Sequence, residues 1–564
     1  MTFDASTYGN FVSAASVAQE RLFPQYSGTR DDFDIIIVGS GVGGGILADD
    51  LAESVGSSKR ILVLEAGSFL YPTHVYNFCR FSNSSVAGHY RCDTFRQGGD
   101  ENSEFFIGEK PQLNFGGRSI FWSGLIPAVQ EWELDFFPDL VRKELEGGLL
   151  DDAGAMMNES RSMGVTAKAI VSRLCGSALA QEFSIRETPR ALHQPYLTAD
   201  GVPADEFATE PTGVFNTAEL LVNQLGLTPG VSGGDGPGLH LLLNSFVEDV
   251  QDHDGHFELV SRDTLTGHAR VFRAGTVVIA AGSIESPKLL RRSSVYPNLP
   301  QPVRDLLGRG LTDHPTTSEI TAYVTHIGDV PIPKSAHAKI VLYSRGLGDG
   351  EIRFPFNVEM NVNHEYWHLR ENDPNDPLAN HPDVFSTNHA EGPSRVDLKF
   401  SFGNCLDDGN VIEPAPPFGY VPEIRFHNPR RMDRLRDSRF PALAGWRKSH
   451  EEIFGVLNHV THQIFSQFSN GGAPARPENE VWYGQGGKGF GYGTVHHAAG
   501  SLRMPYRPAR GDDFAPNSVV DTDLRVVGTN GLYVCDMSVM PFSSAANPVR
   551  TLAALALRLS RHLR

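Results

Sequence analysis

The 564-residue sequence lacks several features that would place a protein in a specialised class. It has no apolar run long enough to span a bilayer, and residues 1–30 contain no basic start followed by an apolar core. We therefore expect neither a membrane protein nor a secretion signal. Only five cysteines are present, and none forms a C-x-x-C pair that could bind a metal or support dithiol chemistry. The simplest interpretation is a reduced cytoplasmic protein without a metal centre.

Positive charge is also scarce, because the formal net charge is -18. Such a surface repels phosphate backbones, so we expect no nucleic-acid partner. Glycine, in contrast, is abundant: the chain has 57 glycines beside a hydrophobic fraction of 40%, which is typical of a globular protein with many tight turns. The length predicts two domains, or one large core with an inserted second layer.

The first recognisable motif follows an apolar run, DIIIV, at residues 34–38. This run predicts a buried parallel strand, and it is followed by GSGVGGG, the helical-looking ILADDLAES and a second apolar run, RILVLEAG. Strand, glycine turn, helix and strand form the dinucleotide-binding βαβ unit. Gly39 permits the tight turn, Gly41 lets the backbone approach a pyrophosphate, and Gly44 lets the helix pack closely on the strand. Glu65, at the end of the second strand, is predicted to accept hydrogen bonds from a ribose diol.

A glycine-rich turn can also serve backbone geometry alone. The strand, the helix and the acidic residue together favour dinucleotide binding, but they do not distinguish NAD from FAD. No second G-x-G-x-x-G unit of the same quality follows in the sequence. Its absence disfavours a monooxygenase or a disulfide reductase, which would be expected to bind NADPH as well.

A second architecture is indicated by alternating segments between residues 317 and 403, among them FPFNVEMNVN and VDLKFSF. Alternation predicts an antiparallel sheet with one face on a core. The polar face of the first segment consists of Asn357, Glu359, Asn361 and Asn363. This face either lines a ligand cavity, where it would suit a polyhydroxylated substrate, or is the solvated outer face of the sheet.

Four further stretches are NFGGRSIFWSG (114–124), AAGSIESPKLLRRS (280–293), GRGLTDHP (308–315) and VVDTDLRVVGTNGLYVCDMSVMPFSSAANP (519–548). Together with the glycine turn, they resemble the conserved blocks of the glucose-methanol-choline (GMC) oxidoreductases, in that family's order. The resemblance implies bound FAD and the oxidation of an alcohol to a carbonyl compound by hydride transfer to flavin N5.

The implied fold is α/β, or α+β overall, with a Rossmann-like FAD-binding domain and a substrate domain on a largely antiparallel sheet. We assign residues 31–316 to the first FAD-binding segments, with irregular insertions at 80–240. Residues 317–470 form the predicted substrate-binding domain, and residues 471–564 form the C-terminal FAD-binding segment.

Two adjacent histidines lie in GTVHHAAGSLRMP. The family has a histidine three residues before a glycine in this region, and His497 meets that spacing to Gly500. The resemblance therefore implies that His497 is the base that accepts the hydroxyl proton, a role that suits the usual pKa of histidine. His496 does not meet the spacing, and we expect it to point elsewhere. Without the resemblance, two loop histidines satisfied by the backbone would be the simpler interpretation.

The family's second catalytic position corresponds to Asn547. The His-Asn combination is nearest the pyranose oxidase-like and cholesterol oxidase-like branch. Asn547 would orient the substrate hydroxyl, and it could equally cap a helix that starts at Pro548. The positive end of that helix would point toward the flavin.

The resemblance implies further flavin contacts, at Gly117, Ser119, Ser123, Val247, Asp536 and Pro548. Val247 is equally well interpreted as an ordinary strand valine. Phe121 occupies the position at which covalent members of the family have a flavin-linked histidine. We therefore predict that the FAD is bound without a covalent link.

The predicted partners are a small-molecule alcohol and an electron acceptor, which is oxygen or another oxidant. A sugar or glycoside is slightly favoured over a sterol or an aromatic alcohol. A GMC-type lyase that retains FAD without net redox chemistry shares the same blocks and remains an alternative, as does a redox-inactive binding protein. The sequence does not indicate an oligomeric state.

Overall fold

The computed structural model describes residues 26–55, 58–69, 96–97, 111–160, 165–193, 214–227, 236–314, 316–317, 320–334, 336, 338–344, 356–363, 392–413, 422–426, 450–478, 496–506 and 518–564. The strands are β1 (Asp32–Val38), β2 (Arg60–Leu64), β3 (Arg96–Gln97), β4 (Phe183–Glu187), β5 (Gly238–Leu242), β6 (Ser245–His253), β7 (His256–Asp263), β8 (Ala269–Ile279), β9 (Ile320–Val324), β10 (His326–Ile327), β11 (Val330–Pro331), β12 (Ala338–Ser344), β13 (Phe356–Val362), β14 (Ser394–Phe402), β15 (Asn404–Cys405), β16 (Val411–Glu413), β17 (Glu423–Arg425), β18 (Phe468–Asn470), β19 (Ala473–Pro474), β20 (Leu532–Val534) and β21 (Phe542–Ser543).

The α-helices are α1 (Val42–Val55), α2 (Glu131–Leu134), α3 (Asp139–Glu144), α4 (Leu150–Met156), α5 (Val165–Cys175), α6 (Leu179–Glu182), α7 (Thr217–Leu227), α8 (Gly282–Arg292), α9 (Gln301–Leu306), α10 (His450–Phe465) and α11 (Val549–Leu563). Short 3₁₀ turns lie at Gly117–Ile120, Tyr296–Asn298 and Met537–Val539, and a π turn at Leu145–Leu149. None of the helices among these described ranges combines the length and the apolar character that a membrane span requires.

The larger sheet has the strand order β5-β2-β1-β8-β7-β6, and β20 also pairs with β8. Strands β5, β2, β1, β8 and β20 pair with one another in parallel, whereas β8, β7 and β6 form an antiparallel meander. The run DIIIV lies within β1, in which Ile36 and Ile37 have no exposed surface. A continuous apolar run forms this strand because helices cover both faces of a parallel sheet. The predicted βαβ unit is confirmed.

Helices α1 and α11 pack against each other beside this sheet and extend one hydrophobic core. The glycines at the start of α1 make this close packing possible. A Cβ atom on Gly43 would lie 2.0 Å from the carbonyl oxygen of Cys535, and one on Gly44 would lie 2.1 Å from that of Gly39. The C-terminal residues therefore complete the core that begins with β1.

The second sheet has the order β4-β12-β13-β14-β9, and every pairing in it is antiparallel. Its apolar face forms a separate hydrophobic core, which includes Phe356, Val358, Met360 and Val362 from β13. The predicted combination of a parallel and an antiparallel sheet is confirmed. Strand β4 comes from residues that the sequence division places before the substrate domain, yet it pairs with β12. The domain boundaries themselves stay a prediction.

Candidate active site

A cavity of about 460 Å³ is lined by residues of both sheets. It opens at the carboxyl ends of four parallel strands, where Gly39, Glu65, Ala280 and Asp536 line it just after β1, β2, β8 and β20. Ligands of open α/β sheets bind in the crevice outside the carboxyl ends of the strands. The same cavity is lined by His497 and Asn547. The predicted nucleotide and catalytic residues thus border one continuous space.

The glycine turn has the backbone geometry that the sequence predicted. Gly39 has a φ of +107°, and a Cβ atom there would lie 2.5 Å from the carbonyl oxygen of Ala280. Gly41 lines the cavity, and no atom lies within 4 Å of the position its Cβ would occupy. A side chain at Gly41 would therefore extend into open cavity rather than into protein. Gly44 packs the helix and does not line the cavity.

Glu65 is 5% exposed, and its carboxylate holds the glycine turn. One carboxylate oxygen accepts hydrogen bonds from the Ser40 backbone N–H (3.0 Å) and the Ser40 hydroxyl (2.5 Å), and the other accepts from the Gly67 N–H (2.8 Å). Burial raises the pKa of the Glu65 carboxyl above its usual value. Glu65 lines the cavity, but its hydrogen bonds also give it a structural role that the sequence did not predict.

The first family-like block packs directly on this turn. Gly117, with a φ of +52°, approaches so closely that its Cβ would lie 3.2 Å from the Cα of Gly41. The Ser119 hydroxyl donates to the Gly116 carbonyl (2.6 Å) and accepts from the Thr217 N–H (3.0 Å). Both Gly117 and Ser119 line the cavity, yet the hydroxyl of Ser119 is engaged with the protein itself.

Asp536 is 4% exposed and joins two of the family-like blocks. Its carboxylate accepts hydrogen bonds from the Gly282 N–H (2.9 Å), the Ser538 N–H (2.8 Å) and the Ser286 hydroxyl. The resulting contacts hold the start of α8 beside the loop after β20. Burial is the main cause of the raised pKa of this carboxyl.

The remaining predicted contacts also border the cavity. These residues are Ser123, Val247 and Pro548, together with Phe121, the position without the linking histidine. Val247 is 3% exposed and belongs to the larger hydrophobic core, so its strand role and its cavity position coexist.

One wall of the cavity comes from the polar face of the antiparallel sheet, and we call these residues the sheet wall. They are Lys339 from β12, Glu359 and Asn361 from β13, and Lys399 and Ser401 from β14. Lys339 Nζ lies 3.7 Å from a Glu359 carboxylate oxygen. The polar face of FPFNVEMNVN thus lines the cavity at Glu359 and Asn361, and the alternative of a solvated outer face is wrong for these two residues.

His497 forms a hydrogen bond that the sequence did not predict. Its Nδ1 atom lies 2.8 Å from Nε2 of His314, and the His314 Nδ1 atom lies 2.9 Å from the Ser544 carbonyl oxygen. A carbonyl oxygen can only accept, so Nδ1 of His314 carries a proton. Nε2 of neutral His314 is then an acceptor, and the Nδ1–H of His497 donates a hydrogen bond to it. This chain of bonds leaves Nε2 of His497 as a lone-pair acceptor.

Both imidazoles are held in the neutral form. Burial is the main cause that lowers the pKa of His314 to about 4, and the positive charge of Lys399 adds to it. Burial also lowers the pKa of His497 well below its usual value, with contributions from His314, Lys399 and Arg118. An unprotonated His497 can accept a proton at neutral pH.

The same pair could also offer atoms to a metal ion. Asp313, His314 and His497 provide three ligand atoms within 4.8 Å of one another. However, an Asp313 carboxylate oxygen accepts a hydrogen bond from the backbone N–H of His314 at 2.8 Å, and the facing nitrogens of the two imidazoles are joined by a hydrogen bond. The hydrogen-bonded arrangement accounts for the proximity of these atoms.

His496 does not point away from the site as expected, because it also lines the cavity. Its φ is +62°, in the left-handed region that non-glycine residues rarely adopt. The Arg118 guanidinium donates to its carbonyl oxygen over 3.4 Å. This turn brings His497 toward His314.

Asn547 lines the cavity and precedes α11, but it does not cap that helix. The helix begins at Val549, Pro548 occupies the cap position, and no side chain caps it. The capping role predicted for Asn547 is therefore wrong, as is the expected helix start at Pro548. The loop is held instead by Glu133, which is 1% exposed and accepts from the Ala546 N–H at 2.9 Å.

Sequence reasoning missed His314, Glu133 and the sheet wall cations. His314 lies in the stretch GRGLTDHP, where the histidine itself was a usable signal. Its partner is 183 residues away in the chain, so only the fold shows that they meet. Glu133 had no comparable signal, because an acid in a short helix is common on protein surfaces.

The known proteins to which this chain is similar are oxidoreductases. A family model described as GMC oxidoreductase matches residues 470–556. A C-glycoside 3-oxidase from Microbacterium trichothecenolyticum is 25% identical over 94% of this chain and 96% of its own length. A choline oxidase from Arthrobacter globiformis is 25% identical over 54% of this chain and 51% of its own length. The solved structure of a pyridoxine 4-oxidase from Mesorbium loti has a TM-score of 0.56 at 18% identity and covers 94% of this chain and 98% of that one, which supports the fold.

Proposed function

We propose that this chain, a GMC oxidoreductase that acts on CH–OH donors, is an FAD-dependent oxidase or dehydrogenase. Its proposed substrate is a polyhydroxylated alcohol, such as a sugar or glycoside. His497 is the base in this proposal. The single observation that carries it is the His497–His314 hydrogen bond of 2.8 Å in the cavity that the glycine turn also lines.

The residues around the glycine turn fit a flavin dinucleotide. The open space at Gly41 and the close approach of Gly117 form a cradle in which backbone, rather than side chains, would meet a pyrophosphate. Gly39, Glu65, Ser119, Val247 and Asp536 would hold the rest of the cofactor beside it. When bound, FAD supplies the acceptor for the hydride of the carbinol carbon.

The chain's own residues handle the proton. Nε2 of His497 accepts the hydroxyl proton, and its Nδ1–H stays bonded to His314, which fixes the orientation of the ring. An alcohol is too weak an acid to ionise freely at neutral pH, so a base within hydrogen-bond reach is required. Asn547 orients the hydroxyl toward that base. His314 is a positioning residue, because it acts through His497.

The polar side chains of the sheet wall indicate the substrate class. Glu359, Asn361 and Ser401 present hydrogen-bonding atoms to the cavity, which suits a substrate with several hydroxyl groups. The C-glycoside 3-oxidase matches this chain over most of both lengths. Oxygen or another oxidant then accepts the electrons, and we place the protein in the cytoplasm.

The test is the visible spectrum of the purified protein, recorded without oxygen while sugars, glycosides, sterols and aromatic alcohols are added. We expect a bound flavin that is bleached by polyhydroxylated alcohols, and admission of air then shows whether oxygen restores the colour. A flavin that no alcohol bleaches would favour the lyase alternative. A colourless protein would contradict the cofactor assignment.

Acid precipitation of the yellow protein tests the non-covalent link. With Phe121 at the linking position, the flavin should appear in the supernatant. Flavin that stays with the precipitate would show a covalent bond to another residue.

A further inference from the structure

The sheet wall carries more positive than negative charge. Lys399 on β14 is the register partner of Glu359 on β13, but the Glu359 carboxylate lies 3.7 Å from the ammonium of Lys339 instead. Within the described ranges, no ion pair of Lys399 is found. Among the residues that the structure describes, the Lys399 ammonium therefore has no counter-charge in ion-pair contact.

Lys399 lines the same cavity as the histidine pair. Its charge contributes to the lowered pKa of both His314 and His497. The positive charge of Arg118 also contributes to the lowered pKa of His497. The negative charge of Glu359 acts on the pKa of His314 in the opposite direction and raises it. Because charges in a dry cavity are screened less than in water, this part of the cavity disfavours a cationic ligand.

Asn361 adds a directional feature to the same wall. The residue is 2% exposed, and its side-chain oxygen Oδ1 has no hydrogen-bond partner among the residues that the structure describes. A buried acceptor without a donor is costly, and a ligand hydroxyl would satisfy it. Asn361 and Lys399 thus offer one acceptor and one cation to the same ligand.

We propose that the substrate of this site is a polyhydroxylated alcohol that carries a carboxylate, which Lys399 binds while Asn361 accepts a hydrogen bond from a neighbouring hydroxyl. This inference rests on the proposed function, because it names the substrate class of that same cavity. Lys399 is then the residue that determines the charge preference of the site. Alcohols with an ammonium group are disfavoured by the same charge.

The experiment measures binding to the flavin-loaded protein by calorimetry without oxygen. The probes are glucuronate, glucose and glucosamine, which share a hexose ring and differ in net charge. We expect glucuronate to bind about ten- to hundredfold more tightly than glucose, since hydrogen bonds to charged groups are strong. Glucosamine should bind most weakly.

The variant Lys399→Met should abolish this order, and Lys399→Arg should retain it. Lys143→Met removes the same charge from an exposed position in α3, and it should leave the order unchanged. Thermal unfolding of each variant shows that the fold is kept, and Lys399→Arg keeps the test valid if Lys399→Met does not fold.

Measurements of binding and of flavin bleaching distinguish the substrate inference from the proposed alcohol oxidation. Equal affinity of the wild-type protein for glucuronate and glucose, or binding of neither, would overturn the substrate inference even if alcohols bleach the flavin. A carboxylate preference that depends on Lys399, together with a flavin that no alcohol bleaches, would support the binding inference and contradict the proposed oxidation.

Discussion

The glycine turn and the histidine pair line the same cavity, but their residues come together by different routes. Gly39, Gly41 and Glu65 lie within one βαβ unit, so local geometry places them. His497 and His314 are 183 residues apart and meet only through tertiary structure. The nucleotide part of the cavity is thus encoded locally, and the reaction part is assembled from distant segments.

This difference extends to the groups that each part presents. The nucleotide part presents backbone and open space, because a Cβ on Gly41 would meet no atom within 4 Å. The reaction part presents two histidine side chains whose pKa values are lowered by burial and, to a smaller extent, by neighbouring positive charge. Substitutions in the two parts should therefore change different measured properties, namely cofactor binding or stability in the nucleotide part and the rate of flavin reduction in the reaction part.

The largest effect is expected in the reaction part. His497→Ala removes the proposed base, and the rate of flavin reduction by an alcohol should fall about a hundred- to ten-thousandfold. The flavin content per chain should stay at the wild-type level, because the glycine turn is untouched. The measurement is anaerobic stopped-flow absorbance, with His326→Ala at an exposed position as the matched control.

Turnover of His497→Ala that equals the wild-type rate would show that another group accepts the proton. Loss of flavin from this variant would instead show that the two parts of the cavity are not separable.

In the nucleotide part, two alanine substitutions should separate folding from cofactor binding. Gly39→Ala places a Cβ 2.5 Å from a carbonyl oxygen at a φ of +107°, and we expect it to lower the free energy of unfolding by about 1–3 kcal/mol. Gly41→Ala should leave the unfolding of the flavin-free protein unchanged and reduce the flavin content. Urea titration and the flavin absorbance per chain measure the two effects. Equal destabilisation by both variants would contradict this assignment.

A smaller effect is expected in the dependence of stability on pH. The pKa of His314 is lowered from 6.5 to about 4 in the folded state. Between these values the unfolded chain binds the proton more readily, so stability is lost as the pH falls through that window. His314→Asn should reduce the loss between pH 7 and pH 5 by about 1–2 kcal/mol.

The measurement is urea unfolding at these two pH values, and His326→Asn is the exposed control. An unchanged pH dependence in His314→Asn would show that His314 is not held neutral. Each variant is compared with itself at the two pH values, so a uniform loss of stability does not affect the result.

The smallest effect is expected in the pH profile of turnover. Because the pKa of His497 lies well below its usual value of 6.5, the base is already unprotonated at neutral pH. The rate constant of flavin reduction should stay constant as the pH falls from 8 to 6.5 and should decline only in more acid solution. A decline centred near pH 6.5 would indicate a base with an ordinary pKa.

The glycine turn could be predicted from the sequence, whereas the role of the Asn547 side chain could not. The positive φ of Gly39 and the packing of Gly44 follow from the turn motif, and the structure has both. The orientation of Asn547 could not be predicted, because the same Asn-Pro pattern is compatible with capping and with a free side chain. The structure places Pro548 at the cap, so the side chain of Asn547 is not used there.

For the sheet wall, the sequence predicted which residues share a face but not what that face contacts. Alternation in β13 indicated which residues share a face, but it could not show whether that face meets solvent or a cavity. The packing of this sheet over the parallel sheet decided it, because Glu359, Asn361 and Lys399 line the same cavity as the two histidines.

By itself, the sequence determined the βαβ unit, the glycine turn and the spacing that singles out His497, because these depend on residues close together in the chain. Only the tertiary structure decided which groups surround His497. The hydrogen bond to His314, the Ser544 carbonyl that fixes the proton of His314, and the position of Lys399 on the cavity wall come from segments that meet when the two sheets pack. Burial and charge at such a meeting point depend on all the segments at once, so no single stretch of sequence contains them.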